Sequence, residues 1–200
     1  MMATRLFFSR RRINLSQESN SAAELSKSVK TFLKTLGLLL LGVWLGAAIF
    51  FSAAVAPNVF AVLRGAELAN AATLAGSVVT RLLAIINKGG FEIGLLLLVI
   101  SFFTTRGQKP IRRIAEMLSL AIMAIMTAIG HWVVAARLAT LRAAMQLPID
   151  QIAPTDARRI EFDNLHRYSV AMLGVAIVAA LIAFILRSLP DTKSTPPSSP

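Results

Sequence analysis

Three ionisable side chains stand inside or at the edge of otherwise uncharged apolar stretches: Glu92, His131 and His166. An ionised group at the centre of a bilayer costs about 2.5–3.5 kcal/mol on insertion scales, so each calls for a partner. Two imidazoles on facing helices form a set that could ligate haem iron axially, or a divalent metal together with Glu92. Arg137, Arg142 and Asp163 lie close behind, so the same layer could instead hold an anionic headgroup. A plainer reading is interfacial hydrogen bonding, with Glu92 paired to an arginine and both imidazoles satisfied by backbone or water. The candidate polar pocket is therefore Glu92, His131, His166 and Arg142.

Other chemistry finds little support. The 200 residues include no cysteine, which removes disulfides, iron–sulfur clusters and thiolate metal sites. No Ser–His–acid spacing, phosphate-cradling glycine loop or pair of intramembrane carboxylates is present. We expect no catalytic residues and no resident cofactor, with haem or a divalent metal as the alternative. Met117, Met123 and Met126 read as packing rather than copper ligands.

These groups must be positioned by helices in lipid. The chain is 56% hydrophobic with a mean hydropathy of +0.67 and a formal charge of +11. A soluble domain of that composition would expose too much apolar surface. Its basic residues flank apolar runs instead of forming a stripe with aromatics, so nucleic acid is not an expected partner. Gly37–Ala56 carries no charge and is long enough to cross a bilayer. It is also too long for a signal-peptide core, and Pro57 follows its best cleavage site directly.

The expected fold is all-α: a polytopic membrane four-helix bundle with amphipathic helices on its outer surface. Spans are placed at about 36–56, 87–105, 114–136 and 167–187, within a membrane domain of residues 35–188. Residues 1–34 read as a flexible basic tail and 189–200 as a disordered one. Asn87-Lys88-Gly89-Gly90 reads as a break before the second span. With the N-terminus inside, the inner segments 1–35, 105–113 and 187–200 hold thirteen of the 21 Lys and Arg. The turn Arg106 to Arg113, with four cations, is the deciding piece, so both termini are expected inside.

On the outer side, Val59–Ile86 has helical periodicity, Ala135–Leu147 extends the third helix, and Thr155 or Asp156 can cap the fourth. On that helix Asp163 and Arg167 are four apart in the favourable acid-first order. Gly37, Gly42 and Gly46 offer a small-residue face for close helix packing, in the bundle or in a homo-oligomer. A weak repeat joins Ala61-Val-Leu-Arg64 to Ala139-Thr-Leu-Arg142, 78 residues on. It implies a parallel duplication, or else chance similarity in an Ala/Leu-rich chain.

Gly42-Val-Trp44-Leu-Gly46, Ala56-Pro57-Asn-Val-Phe60, Ala75-Gly76 and Arg81 form a pattern that resembles the transmembrane protein 205-like family, also known as domain-of-unknown-function family 4149. Leu141-Arg142 and Phe162-Asp-Asn-Leu165-His166-Arg-Tyr-Ser169 continue it, so the likeness covers about residues 35–188. The resemblance implies an α-helical membrane protein of about four spans with no established activity. Pro57, Phe60, Arg142, Phe162, Leu165, His166 and Ser169 match its motifs. The proline expected near the outer end of span three is absent, with Ala136 in its neighbourhood, and His131 is not part of the pattern. The expected function is that of a non-catalytic scaffold or regulatory component of a membrane, the bacterial inner membrane if the source is prokaryotic. Its partners would be the bilayer and anionic headgroups at the basic inner face. An oligomeric transporter or channel subunit, or a haem- or metal-binding redox subunit using His131 and His166, are the alternatives.

Overall fold

The computed structural model describes the backbone of residues 2–104, 109–145 and 147–190, and the side chains of these except residues 2–19 and Asp150. It is all helix: α1 (Met2–Phe50), α2 (Ala56–Gly65), α3 (Ala71–Thr104), α4 (Pro110–Ala128), α5 (Ala135–Ala144) and α6 (Ala157–Ser188). Met1–Gly37 and Leu38–Pro200 are two separate compact units. The first is helical where the sequence suggests a flexible tail; Ala22, Ala23, Glu24, Leu25 and Lys27 are all good helix formers. The second is the bundle. The expected disordered tail falls almost wholly on 191–200, outside the described residues, as do 105–108 of the basic turn.

Among the described residues four helical runs are long and apolar enough to cross a membrane: Asn20–Gly65, Ala71–Thr104, Pro110–Ala144 and Ala157–Ser188. This is the architecture of a multi-pass membrane protein. Lipid provides no hydrophobic drive between helices, so cohesion comes from close packing and from polar contacts. Leu41, Trp44, Leu45, Ala48 and Phe51 recur at three- and four-residue spacing and form the buried stripe of α1. They pack with Leu97 of α3, Leu120 and Met123 of α4, and Leu173, Ala176 and Ala180 of α6. Outward stripes such as Val43 and Phe50, or Val170, Val178 and Ile185, stay exposed, as apolar residues do where lipid is the solvent.

The second span corrects the sequence reading. α3 runs without interruption through Asn87–Gly90, so no break precedes the span and its outer part is not a separate surface helix. Gly90 serves closeness instead. A Cβ there would lie 2.8 Å from Thr127 Cγ2 and 2.8 Å from the Trp44 ring, so three helices converge on a missing methyl. Trp44 Nε1 donates to Ile86 O at 2.9 Å, fixing the ring at that spot. A Cβ at Gly94 would lie 3.1 Å from Ala124 Cβ, and one at Gly130 would lie 3.1 Å from Asn87 Nδ2. The close-approach glycines thus lie on α3 and beyond α4. On span one, by contrast, a Cβ at Gly46 would meet nothing within 4 Å and one at Gly42 would make ordinary contact with Phe184.

Two wide helical turns were not foreseen. Phe51–Val55 and Ile129–Val134 are π-helical, closed by Ala56 N–H to Phe51 O and Ala135 N–H to Gly130 O. Pro57 supplies one cause, since its ring crowds the carbonyl four residues back and the wider turn relieves that. The second turn has no proline. Both begin 78 residues apart, the same interval as the Arg64 and Arg142 copies, which supports duplication over chance.

Candidate functional site

The bundle has two ends. The proximal end carries residue 109; the distal end carries the connections 66–70 and 145–156. At the distal end, α2, the start of α3, α5 and the start of α6 enclose a cavity of about 680 Å³. That lies within the range of about 300–1,000 Å³ typical of ligand sites.

Local structure sets its walls. The π turn and Pro57 launch α2, which carries Phe60 and Arg64. Glu67 takes a left-handed φ of 52°, closing α2 and letting the chain return into α3. On the other side Asp156 caps α6, its Oδ1 accepting the Arg158 N–H at 2.8 Å. Arg158 bonds the same carboxylate through its side chain. That hydrogen bond first, then the backbone one, hold the Asp156 carboxyl down at about 2. Leu141, Met145 and Ile152 pack with Ile149, Phe162 and Leu165, seating the 145–156 connection on α5 and α6. The motif residue Leu165 therefore serves this packing.

Among the described residues three guanidiniums, those of Arg64, Arg142 and Arg159, line the cavity against one carboxylate, that of Asp163. Arg142 is the central one. Its Nη1 donates to Thr80 Oγ1 at 3.0 Å and its Nη2 to Gly76 O at 3.4 Å. Its guanidinium lies over the Phe162 ring at 5.3 Å. All these partners are neutral, and no carboxylate pairs with this half-buried cation among the described residues. Gly76 makes room for it, since a Cβ there would sit 3.4 Å from Nη2. Arg64 lies over the Phe60 ring at 5.6 Å. Arg159 holds the connection, donating to Ile149 O at 2.6 Å and Ile152 O at 2.9 Å. Its Nε sits 3.7 Å from Asp163, so Asp163 pairs one turn back and not with Arg167 as its spacing suggested.

Of the sequence-selected residues, Arg142, His166, Pro57, Phe60, Phe162 and Ser169 all line this cavity. Glu92 and His131 do not. Glu92 is exposed and faces Lys88 at 3.8 Å, a lysine on its own helix where an arginine partner was expected. His131 packs edge-on against Trp132, which in turn meets Phe91 of α3. The layer of Glu92, His131 and His166 is thus divided between the cavity and a separate aromatic contact. No group of three or more His, Cys, Asp or Glu suited to a metal occurs among the described residues.

A polar cluster at the proximal end escaped the sequence reading. Glu116 and Arg187 are 1% and 4% exposed, and Glu116 Oε1 sits 3.0 Å from Arg187 Nη1. The Ser101 hydroxyl donates to the same Oε1 at 2.8 Å and accepts from Arg187 Nη1 at 3.0 Å. α3, α4 and α6 are thereby joined by one network. Beside it Arg112 donates to the carbonyls of Leu186, Leu189 and Pro190, at 3.1, 2.7 and 2.9 Å, capping the C-terminus of α6. The available signal was two opposite charges at matching depth, at the proximal ends of spans three and four.

A family model, that of a domain of unknown function, DUF4149, matches residues 39–146. No curated protein matches, and no solved structure does. The matched segment holds Pro57, Phe60, Gly76, Thr80 and Arg142 and stops before α6.

Proposed function

Starting from the fact that this chain belongs to the DUF4149 family of unknown function, we propose that it is a non-catalytic scaffold or regulatory membrane component that holds an anionic ligand in its distal cavity. Arg142 carries the argument. A half-buried guanidinium given only neutral acceptors among the described residues has its charge incompletely compensated, and arginine does not shed its proton to escape that. An anion supplied from outside completes the site, and the Arg64 guanidinium stands ready on the facing wall. The likeness to transmembrane protein 205-like proteins supports this placement, since its motif residues Phe162, His166 and Ser169 line the same space.

The cavity faces the extracytoplasmic side under the charge bias of the inner segments. Beneath it Leu41, Leu97, Leu120 and Met123 are completely buried, so a single protomer encloses no continuous path. This weighs against a channel and favours binding. The test is thermal unfolding of the purified protein in detergent with a panel of anionic amphiphiles and soluble anions. A melting temperature that rises with anion concentration, and fails to rise in Arg142→Gln, supports the reading. No anion-dependent shift in the unsubstituted protein would end it.

A further inference from the structure

A second cavity, of about 350 Å³, adjoins the first. The two share Pro57, Phe60, Val79, Leu83, His166 and Ser169 on their walls. Where the first is lined by arginines, the second is largely apolar: Phe51 of the first π turn, with Leu173, Gly174 and Ile177 of α6. Those α6 residues lie within the fourth span; Val170 lines the same groove and is exposed, as is Val178 one turn beyond Gly174. One continuous space thus changes from cationic to greasy as it passes from the membrane edge into the bilayer.

We propose that this space binds one molecule of an anionic phospholipid from the distal leaflet. Its phosphate lies between Arg64 and Arg142, and one acyl chain runs down the groove between span one and α6. The inference rests on the anion-binding reading above and adds the identity of the anion. Charge complementarity selects the headgroup: a phosphate oxygen pair suits the planar guanidinium fork, and basic pockets between spans are a known geometry for lipid headgroups. A soluble phosphate would use the arginines but leave the groove without purpose. His166 and Ser169 stand at the junction, where the glycerol ester oxygens would come to rest and accept hydrogen bonds.

Gly174 makes the idea testable. Gly174 lines the groove and a Cβ built there meets nothing within 4 Å, so the position has open space for a side chain. Native mass spectrometry of the full chain in mild detergent would be titrated with phosphatidylglycerol, with phosphatidylcholine of the same chains, and with glycerol phosphate. Phosphatidylglycerol is expected to bind at least about tenfold more tightly than the zwitterionic lipid, a difference of about 1.4 kcal/mol. Arg64→Gln, an exposed position that spares the fold, should weaken it about tenfold, and Gly174→Phe likewise, each with an unchanged melting temperature in lipid-free detergent. Equal binding of the two lipids, or full affinity in Gly174→Phe, overturns the proposal. Glycerol phosphate binding as tightly as the lipid and indifferent to Gly174→Phe would leave the anion reading standing and remove the lipid. No binding by any of the three removes both.

Discussion

Replacing Glu116 by leucine removes the carboxylate that faces Arg187 in the bundle, where the Arg187 side chain is 5% exposed and also donates to the Ser101 hydroxyl. Removing one partner of a buried ion pair costs about 3–5 kcal/mol. Two effects reduce that here. The pair sits near a bilayer face, where a long arginine can reach toward water, and an unfolded chain in lipid finds substitute partners for its polar groups. Reaching out requires Arg187 to leave a closely packed slot between α3 and α4, so the cost stays near the lower bound, about 3 kcal/mol. Arg187→Met, which breaks the same pair from its other side, should also destabilise. The double substitution Glu116→Leu/Arg187→Met swaps the pair for apolar volume and should return to within about 1 kcal/mol of the parent. Reversible unfolding by an SDS titration in mixed micelles, followed by tryptophan fluorescence, measures all four proteins. Single variants each within about 0.5 kcal/mol of the parent, or a double variant losing the sum of the two, would refute the buried network as the link between α3, α4 and α6.

Gly90→Ala should destabilise by about 1–3 kcal/mol in the same titration, since Trp44 and Thr127 are both held by hydrogen bonds and cannot yield. Gly46→Ala, with open space around it, should instead gain up to about 1 kcal/mol from helix propensity. Because the Asp156 carboxyl is lowered to about 2 from its ordinary value of 3.8, its cap is fully present above about pH 4 and is lost as pH falls through about 2. Hydrogen exchange at the Arg158–Ile160 amides should follow that window, and Asp156→Ala should be flat across it. A thiol placed at Lys109 should react with a membrane-impermeant reagent only from the cytoplasmic side, and one at Gln151 only from the other.

How much of this could be read in the sequence depended on how local the signal was. Apolar runs and flanking cations are summed over many residues, and they located all four long helices without tertiary knowledge. The cap at Asp156 and the extension of the third helix past Ala135 were legible for the same reason. Gly89-Gly90 misled because glycine has two meanings, a weak helix former and a place for another helix to come near; only the position of Trp44 decides between them. Glu92 and His131 looked like pocket members because depth in the membrane is readable while rotation about the helix axis is not. The Glu116–Arg187 pair joins residues 71 apart, and nothing short of the packed bundle brings them together. Arg142 and His166 line one cavity, and that space lies between helices, where no sequence pattern reaches it.

The two π turns also have a mechanical consequence. Each leaves one carbonyl outside the regular ladder, so spans one and three both own a soft joint at corresponding points. Arg64 and Arg142 ride on the short arms beyond those joints. A small swing of either arm changes the gap between the two guanidiniums while the tightly knit half of the bundle below keeps its shape.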